Sequence, residues 1–262
     1  MERDETVGRR FERLVEILAV LRSEQGCPWD RQQDERSIAN YFLEEVFEAI
    51  DAVAAADASA LREELGDVMM EVVFLARIYA EKGRFTISDV LDGIVDKMTR
   101  RHPHVFEGRR VSSCREVVAS WQEHKAAEKK GRPIFDGMPK SAPALLQAFL
   151  IGLKAAAYGF DWGNALAVLE KVKEEVEELR TALQGGQDQK IQEEIGDLLF
   201  TVASLSRLAG QNPELALRAA NQKFKERFLS LEKELLKKGK KLGGASLEEM
   251  EDTWERIKRR GL

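Results

Sequence analysis

The sequence predicts an all-α protein made of two tandem copies of one helical unit, and three observations predict it. Apolar residues recur at three- and four-residue steps through long Ala/Glu/Lys/Leu/Arg-rich stretches, the period of helices with one buried face. Aromatic residues make up only 7% of the chain and prolines number 6, which disfavours a β-protein. Short acidic motifs also return in the same order 130 residues later.

The repeat sets the order of elements. Leu43-Glu44-Glu45-Val46-Phe47-Glu48 is answered by Lys173-Glu174-Glu175-Val176-Glu177-Glu178. Glu63-Glu64-Leu65-Gly66-Asp67-Val68 is answered at the same offset by Glu193-Glu194-Ile195-Gly196-Asp197-Leu198. Further on, Lys97 and Arg101 are echoed by Lys223 and Arg227, and Trp121 with Lys125 by Trp254 with Lys258. The copies are expected at residues 1–127 and 144–262. A linker is expected at 128–143, where Lys129-Lys130-Gly131-Arg132-Pro133 and Gly137-Met138-Pro139 break helical periodicity.

Within the second copy, Leu169, Val172, Val176, Leu179 and Leu183 form one apolar stripe, and Ile191, Ile195, Leu198, Val202 and Leu205 form another. Gln184-Gly185-Gly186-Gln187-Asp188 between them supplies a helix stop and a new N-cap, so the pair reads as an αα-hairpin. In the first copy the corresponding turn falls in Ala54 to Ser59, with Asp57 or Ser59 available as the cap.

Composition narrows the class. Of 262 residues, 44% are hydrophobic and 33% charged, as in a soluble helical protein. A net charge of −5 offers no basic footprint for nucleic acid, so no nucleic-acid partner is expected. Cys27 and Cys114 are too few for a disulfide framework or a four-thiolate zinc site. The most apolar N-terminal stretch, Phe11 to Leu21, is interrupted by Glu12, Arg13 and Glu16, and nowhere do 18 apolar residues run together. Neither secretion nor a membrane span is expected; a cytoplasmic setting is.

Placed on the hairpin, the acids converge. Glu175 and Asp197 are each 11 residues from Gly186, and Glu178 and Glu194 are each 8 away. In antiparallel helices each pair therefore sits level, and rotation of about 100° per residue brings both pairs to one lateral edge. The first copy repeats this about Ala56, with Glu48 opposite Glu64 and Glu45 opposite Asp67. Two like charges about 6 Å apart repel by roughly 3 kcal/mol at an effective dielectric near 20. Such a group splays into solvent, takes up protons, or binds a hard cation. An all-oxygen set without His or Cys favours Mg²⁺ or Mn²⁺. A lone Glu-Glu-x-x-Glu is usually a solvated helix face; the mirrored, repeated pattern argues for metal. Gly66 and Gly196, each between the same two acids, point to close approach by a neighbouring helix or a ligand.

These residues resemble those of the MazG family of all-α nucleotide pyrophosphohydrolases. Beyond both acidic motifs, the resemblance rests on Gly26-Cys27-Pro28-Trp29-Asp30, Arg100-Arg101-His102-Pro103-His104-Val105-Phe106, Gly159-Phe160-Asp161-Trp162 and Asn221-Gln222-Lys223-Phe224, and it covers essentially the whole chain. It implies hydrolysis of nucleoside triphosphates, ribo and deoxy with broad base tolerance, to monophosphate and pyrophosphate. It also implies hairpins that form four-helix bundles on dimerisation. Carried over, Glu175, Glu178, Glu194 and Asp197 would hold Mg²⁺, with Glu175 and Glu178 catalytic. Lys171, Lys173, Glu174, Lys190, Glu193, Asn221, Lys223, Arg227, Trp254 and Lys258 would surround the nucleotide. Glu45, Glu48, Glu64 and Asp67, with Lys97, Arg101, Trp121 and Lys125, would form a second site. On the residues alone, Lys223 and Arg227 read as surface ion-pair partners, Trp254 as a core latch and Asn221 as a surface polar residue. The chain departs from the family between Gln147 and Leu153, which carry no basic residue, so only Lys154 remains there.

Other signals are weaker. His102 and His104 flank Pro103 without a spaced partner for zinc, no Glu-x-x-His suggests a di-iron bundle, and Ser112-Ser113-Cys114 lacks a nearby base. Trp29 and Trp162 could stack a base, though packing is the favoured reading. The rival enzymes are a dUTP- or phosphoribosyl-ATP-specific pyrophosphohydrolase; the rival of another class is a non-catalytic cation-binding scaffold. The stripe on each hairpin is too broad for two helices to cover, which predicts a homodimer. Chemistry is expected in the C-terminal copy. Asn221, Lys171 and Lys173 stand there, where Val95, Tyr41 and Leu43 occupy the matching places of the first copy.

Overall fold

A computed structural model describes residues 6–107, 113, 116, 117, 131 and 133–260. Among them the fold is all-α, with no strand. The chain divides into two compact units, Met1–Glu128 and Lys129–Leu262.

In the first unit, α1 (Val7–Leu21) and the short α2 (Pro28–Gln32) precede the hairpin of α3 (Glu35–Ala54) and α4 (Ala58–Glu81), and α5 (Ile87–Arg101) and α6 (Pro103–Phe106) follow. α3 starts at a capping box between Asp34 and Ser37. The hairpin turn is capped by Asp57, whose carboxylate accepts from the backbone N–H groups of Ser59 and Ala60. α1 packs on α4, and Leu18, Ile38, Val73, Phe74 and Ile78 make the core, with Phe11, Leu14, Met70 and Ile87 around it.

In the second unit, α7 (Ala144–Ala156) precedes the hairpin of α8 (Ala165–Gly185) and α9 (Asp188–Leu208), followed by α10 (Pro213–Lys237) and α11 (Leu247–Arg259). α7 packs on both α9 and α10, and α10 pairs with α11 through Leu231, Leu235 and Ile257. Of the stretch expected to be a linker, the described part is fastened to this unit. Lys154 Nζ donates to the carbonyls of Ile134 and Asp136, and Gln147 Nε2 to those of Lys140 and Ala142.

The two hairpin turns solve the same problem differently. Gly186 ends α8 in the left-handed region at φ 65°, and Ala56 at the matching place holds φ 53°. An L-residue there costs about 1 kcal/mol that glycine avoids. The chain length from Glu45 to Asp67 nonetheless equals that from Glu175 to Asp197, and that equality keeps the acids level.

Each hairpin leaves one stripe uncovered within its unit. Leu65, Met69 and Val72 on α4 are 36–53% exposed, and Ile195, Leu199 and Val202 at the matching positions of α9 are 37–51% exposed.

Candidate metal centres on two helical hairpins

The α8–α9 hairpin brings one carboxylate oxygen each of Glu175, Glu194 and Asp197 within 4.8 Å of one another. The α3–α4 hairpin does the same with Glu45, Glu64 and Asp67. Glu178 and Glu48, the fourth acids of each expected set, stand outside these tight trios yet near enough to act on them electrostatically. Each lies one helical turn nearer the hairpin end than Glu175 or Glu45.

The donor set fits a hard divalent cation. Octahedral Mg²⁺ contacts of about 2.1 Å put neighbouring oxygens about 3 Å apart and opposite ones about 4.2 Å apart, so a small closure of either trio would seat one ion. No histidine or cysteine joins either cluster among the described residues, which disfavours zinc or iron.

Like charge and burial both act on these carboxyl groups. Burial, then repulsion by Asp67, Glu48 and Glu64, raises the Glu45 carboxyl above its ordinary range; burial, then Glu48 and Asp67, raises Glu64. Glu178 is raised first by burial, with Lys171 opposing and Glu175 and Glu194 adding to the rise.

The copies differ in what flanks the trio. In the second, Lys171 Nζ lies 2.8 Å from Glu174 Oε1 and 3.0 Å from Glu175 Oε1, and these bonds raise the lysine further. Tyr41 holds that place in the first copy. There, instead, Glu71 lies four residues beyond Asp67, only 4% exposed, with Oε2 lacking any hydrogen-bond partner among the described residues. Burial, then Glu45 and Asp67, pushes it up to about 7. Thr201 takes the matching place in the second copy. Sequence analysis missed Glu71; the signal was a lone charge inside the apolar run Val68-Met69-Met70-Glu71-Val72-Val73-Phe74.

The outer residues sort less uniformly. Lys173 pairs with Glu170 at 2.8 Å, and two residues from Glu175 it faces the other side of α8. Lys258 pairs with Glu255 at 2.7 Å, and Arg227 lies close enough to lower the Glu255 carboxyl behind Lys258 and Arg259. Trp254 packs on the α10–α11 core, its ring 5.1 Å from that of Phe224, as the latch reading requires. Lys190, Glu193, Asn221 and Lys223 lie on exposed helix surface of the second unit, as do Lys97 in the first and Glu174 beside Lys171; Arg101 is partly buried at the end of α5. Trp121 and Lys125, and also Ser112 and Cys114, lie outside the described residues. His102 is engaged by the Met98 carbonyl at 2.7 Å.

Trp29 and Trp162 are 54% and 44% exposed, so neither plugs the interior of its own unit. The segments that carry them, α2 and the loop before α8, are pinned by buried arginines. Arg22 donates to the carbonyls of Asp30 and Gln33 and pairs with Glu81 at 2.8 Å. Arg207 grips the Asp161 carboxylate through both Nη atoms. Gly152 makes room for it, since a Cβ there would meet Arg207 Nε at 2.9 Å. Around Gly66 and Gly196 the space is open to 4 Å, so no described helix of the same unit accounts for them.

An all-α hairpin with an all-carboxylate trio, repeated in tandem, defines a protein with two candidate sites for a hard cation. A profile of the MazG nucleotide pyrophosphohydrolase domain matches residues 33–106 and 164–232, the two segments that contain these hairpins. The chain is 42% identical to the nucleoside triphosphate pyrophosphohydrolase of Escherichia coli K12, covering 97% of this chain and 98% of that protein. It is 41% identical to the nucleoside triphosphate pyrophosphohydrolase/pyrophosphatase MazG of Thermotoga maritima, covering 96% of each. The chain belongs to the MazG nucleotide pyrophosphohydrolase family.

Proposed function

We propose that this enzyme hydrolyses nucleoside triphosphates, ribo and deoxy, to nucleoside monophosphate and pyrophosphate, with Mg²⁺ as cofactor, Mn²⁺ as a substitute, and broad tolerance of the base. The observation that carries the reading is the Glu175–Glu194–Asp197 trio beside Lys171. Likeness to relatives that carry this activity in their names supports it.

Glu175, Glu194 and Asp197 would hold the cation, which when bound neutralises phosphate charge and lowers the pKa of a water. Glu178, outside the trio, is the carboxylate left to accept a proton at its Oε from the attacking water. Water adds to phosphorus as the bond to the pyrophosphate oxygen breaks, and the product acid loses its proton to solvent. Lys171, already at the rim, turns from Glu174 and Glu175 to the phosphate oxygens, with Lys223 and Arg227 as further cationic partners.

Catalysis belongs to the second copy. Its four acids are offset by Lys171, whereas the first copy sets five acids, Glu71 included, against a triphosphate that is itself strongly anionic. Uncovered stripes at Leu65, Met69 and Val72 and at Ile195, Leu199 and Val202 support assembly as a homodimer. No described helix is long and apolar enough to cross a membrane, and the enzyme is proposed to work in the cytoplasm. The test is a panel of NTPs and dNTPs with Mg²⁺ and chromatographic separation of products. Monophosphate and pyrophosphate are expected, with loss in EDTA; diphosphate and orthophosphate as main products would overturn the reading.

A further inference from the structure

The two copies carry the same trio, yet only the first places a buried carboxylate behind it. Glu71 follows Asp67 by one helical turn on α4, so both project from one face. It is 4% exposed, and the charged groups acting on it are Glu45 and Asp67, two members of the trio. Its Oε2 finds no donor among the described residues. Leu18, Ile38, Val73 and Phe74 form the core of the same unit, so Glu71 occupies a place on α4 that an apolar residue would fill at no electrostatic cost. Burying a carboxylate with an oxygen left unpartnered is strongly unfavourable. A hard cation at the trio is the group that supplies what Oε2 lacks, because it accepts oxygen ligands in number and without directional N–H chemistry. Thr201, at the equivalent position of α9, is neutral, and Lys171 adds a positive charge on that side.

We infer that the first copy is a tight divalent-cation site in which Glu71 serves as an added carboxylate ligand to Glu45, Glu64 and Asp67, holding its ion more firmly than the second copy. The inference rests on the metal reading of the carboxylate trios, though not on the reaction. The first copy then works as a standing cation site rather than a second nucleotide site. Its surplus of negative charge repels a triphosphate and retains the ion, whereas the Lys171-tempered second site exchanges its ion with the nucleotide complex.

The experiment is titration of metal-free, full-length protein with Mn²⁺, free ion being read by electron paramagnetic resonance. Wild type, Glu71→Gln, Thr201→Glu and Glu194→Gln are compared, with circular dichroism to verify each fold. Two classes of site are expected in wild type. Glu71→Gln, which keeps shape and removes one charge, should weaken the tighter class by about tenfold to a hundredfold. Glu194→Gln should weaken only the looser class, and Thr201→Glu should tighten it. Tight binding unchanged in folded Glu71→Gln would overturn the inference while leaving the metal centres standing. Absence of Mn²⁺ binding altogether would overturn both.

Discussion

Replacing Asp161 by Asn tests how the α8–α9 hairpin is anchored. Arg207, near the end of α9, reaches the loop before α8 and grips Asp161 through two nitrogens, one contact being 3.0 Å. The arginine side chain is 8% exposed and the aspartate 26%. Removing one partner of a buried pair costs about 3–5 kcal/mol, because the other charge is left uncompensated. A quarter of the aspartate is in water, which puts the expected loss near the lower end, about 3 kcal/mol. Arg207 Nε has no partner among the described residues, so the guanidinium has little to fall back on. Asp161 also accepts from the Trp162 backbone N–H at 2.8 Å, a bond that the amide oxygen of Asn can keep, so the substitution isolates the loss of charge at Arg207. The assay is urea unfolding of wild type, Asp161→Asn, Arg207→Met and the double variant. The double variant should lie within about 1 kcal/mol of Arg207→Met, the coupling expected of contacting residues. Arg207 holds the Asp161 carboxyl below its ordinary value, so the stabilisation is present above the unfolded pKa near 3.9 and is lost as pH falls through the folded value. Wild type and Asp161→Asn should therefore converge in acid. A loss under about 0.5 kcal/mol at neutral pH, as for an ordinary surface substitution, would refute the anchoring argument.

Glu178→Gln should remove nearly all pyrophosphohydrolase activity while Glu48→Gln leaves most of it, both remaining folded; equal loss would mean that both copies are catalytic or act as one. Light scattering at micromolar concentration should give twice the 29.6 kDa chain mass, and a fully active monomer would contradict the reading of the exposed stripes. In EDTA, Glu71 should make stability fall as pH rises. Its folded value of about 7 lies above the ordinary 4.5, so its contribution is complete below 4.5 and lost as pH climbs through 7. Relative to Glu71→Gln, wild type should gain about 2 kcal/mol between about pH 8 and pH 5.5, measured by urea unfolding; parallel pH profiles would count against it.

Much of this protein was legible before any coordinates. Helical period, paired turn signals and the 130-residue offset located both hairpins and levelled their acids, because height and rotation along a helix are local consequences of residue count. Family membership was legible for the same reason: its motifs are short and lie at these turns and faces. Tertiary packing decided the rest. It selected a trio from four acids, turned Lys171 onto Glu175, and packed Trp254 against the α10–α11 core. It also joined Arg207 to Asp161, 46 residues away, and buried Glu71 behind the first trio. Such outcomes depend on rotamers and on contacts between distant segments, and a side chain's burial is set by whatever helix happens to cover it rather than by its own position in a repeat. The same register of carboxylates thus appears twice in the sequence, while the packed fold surrounds one with a lysine and the other with a fifth acid.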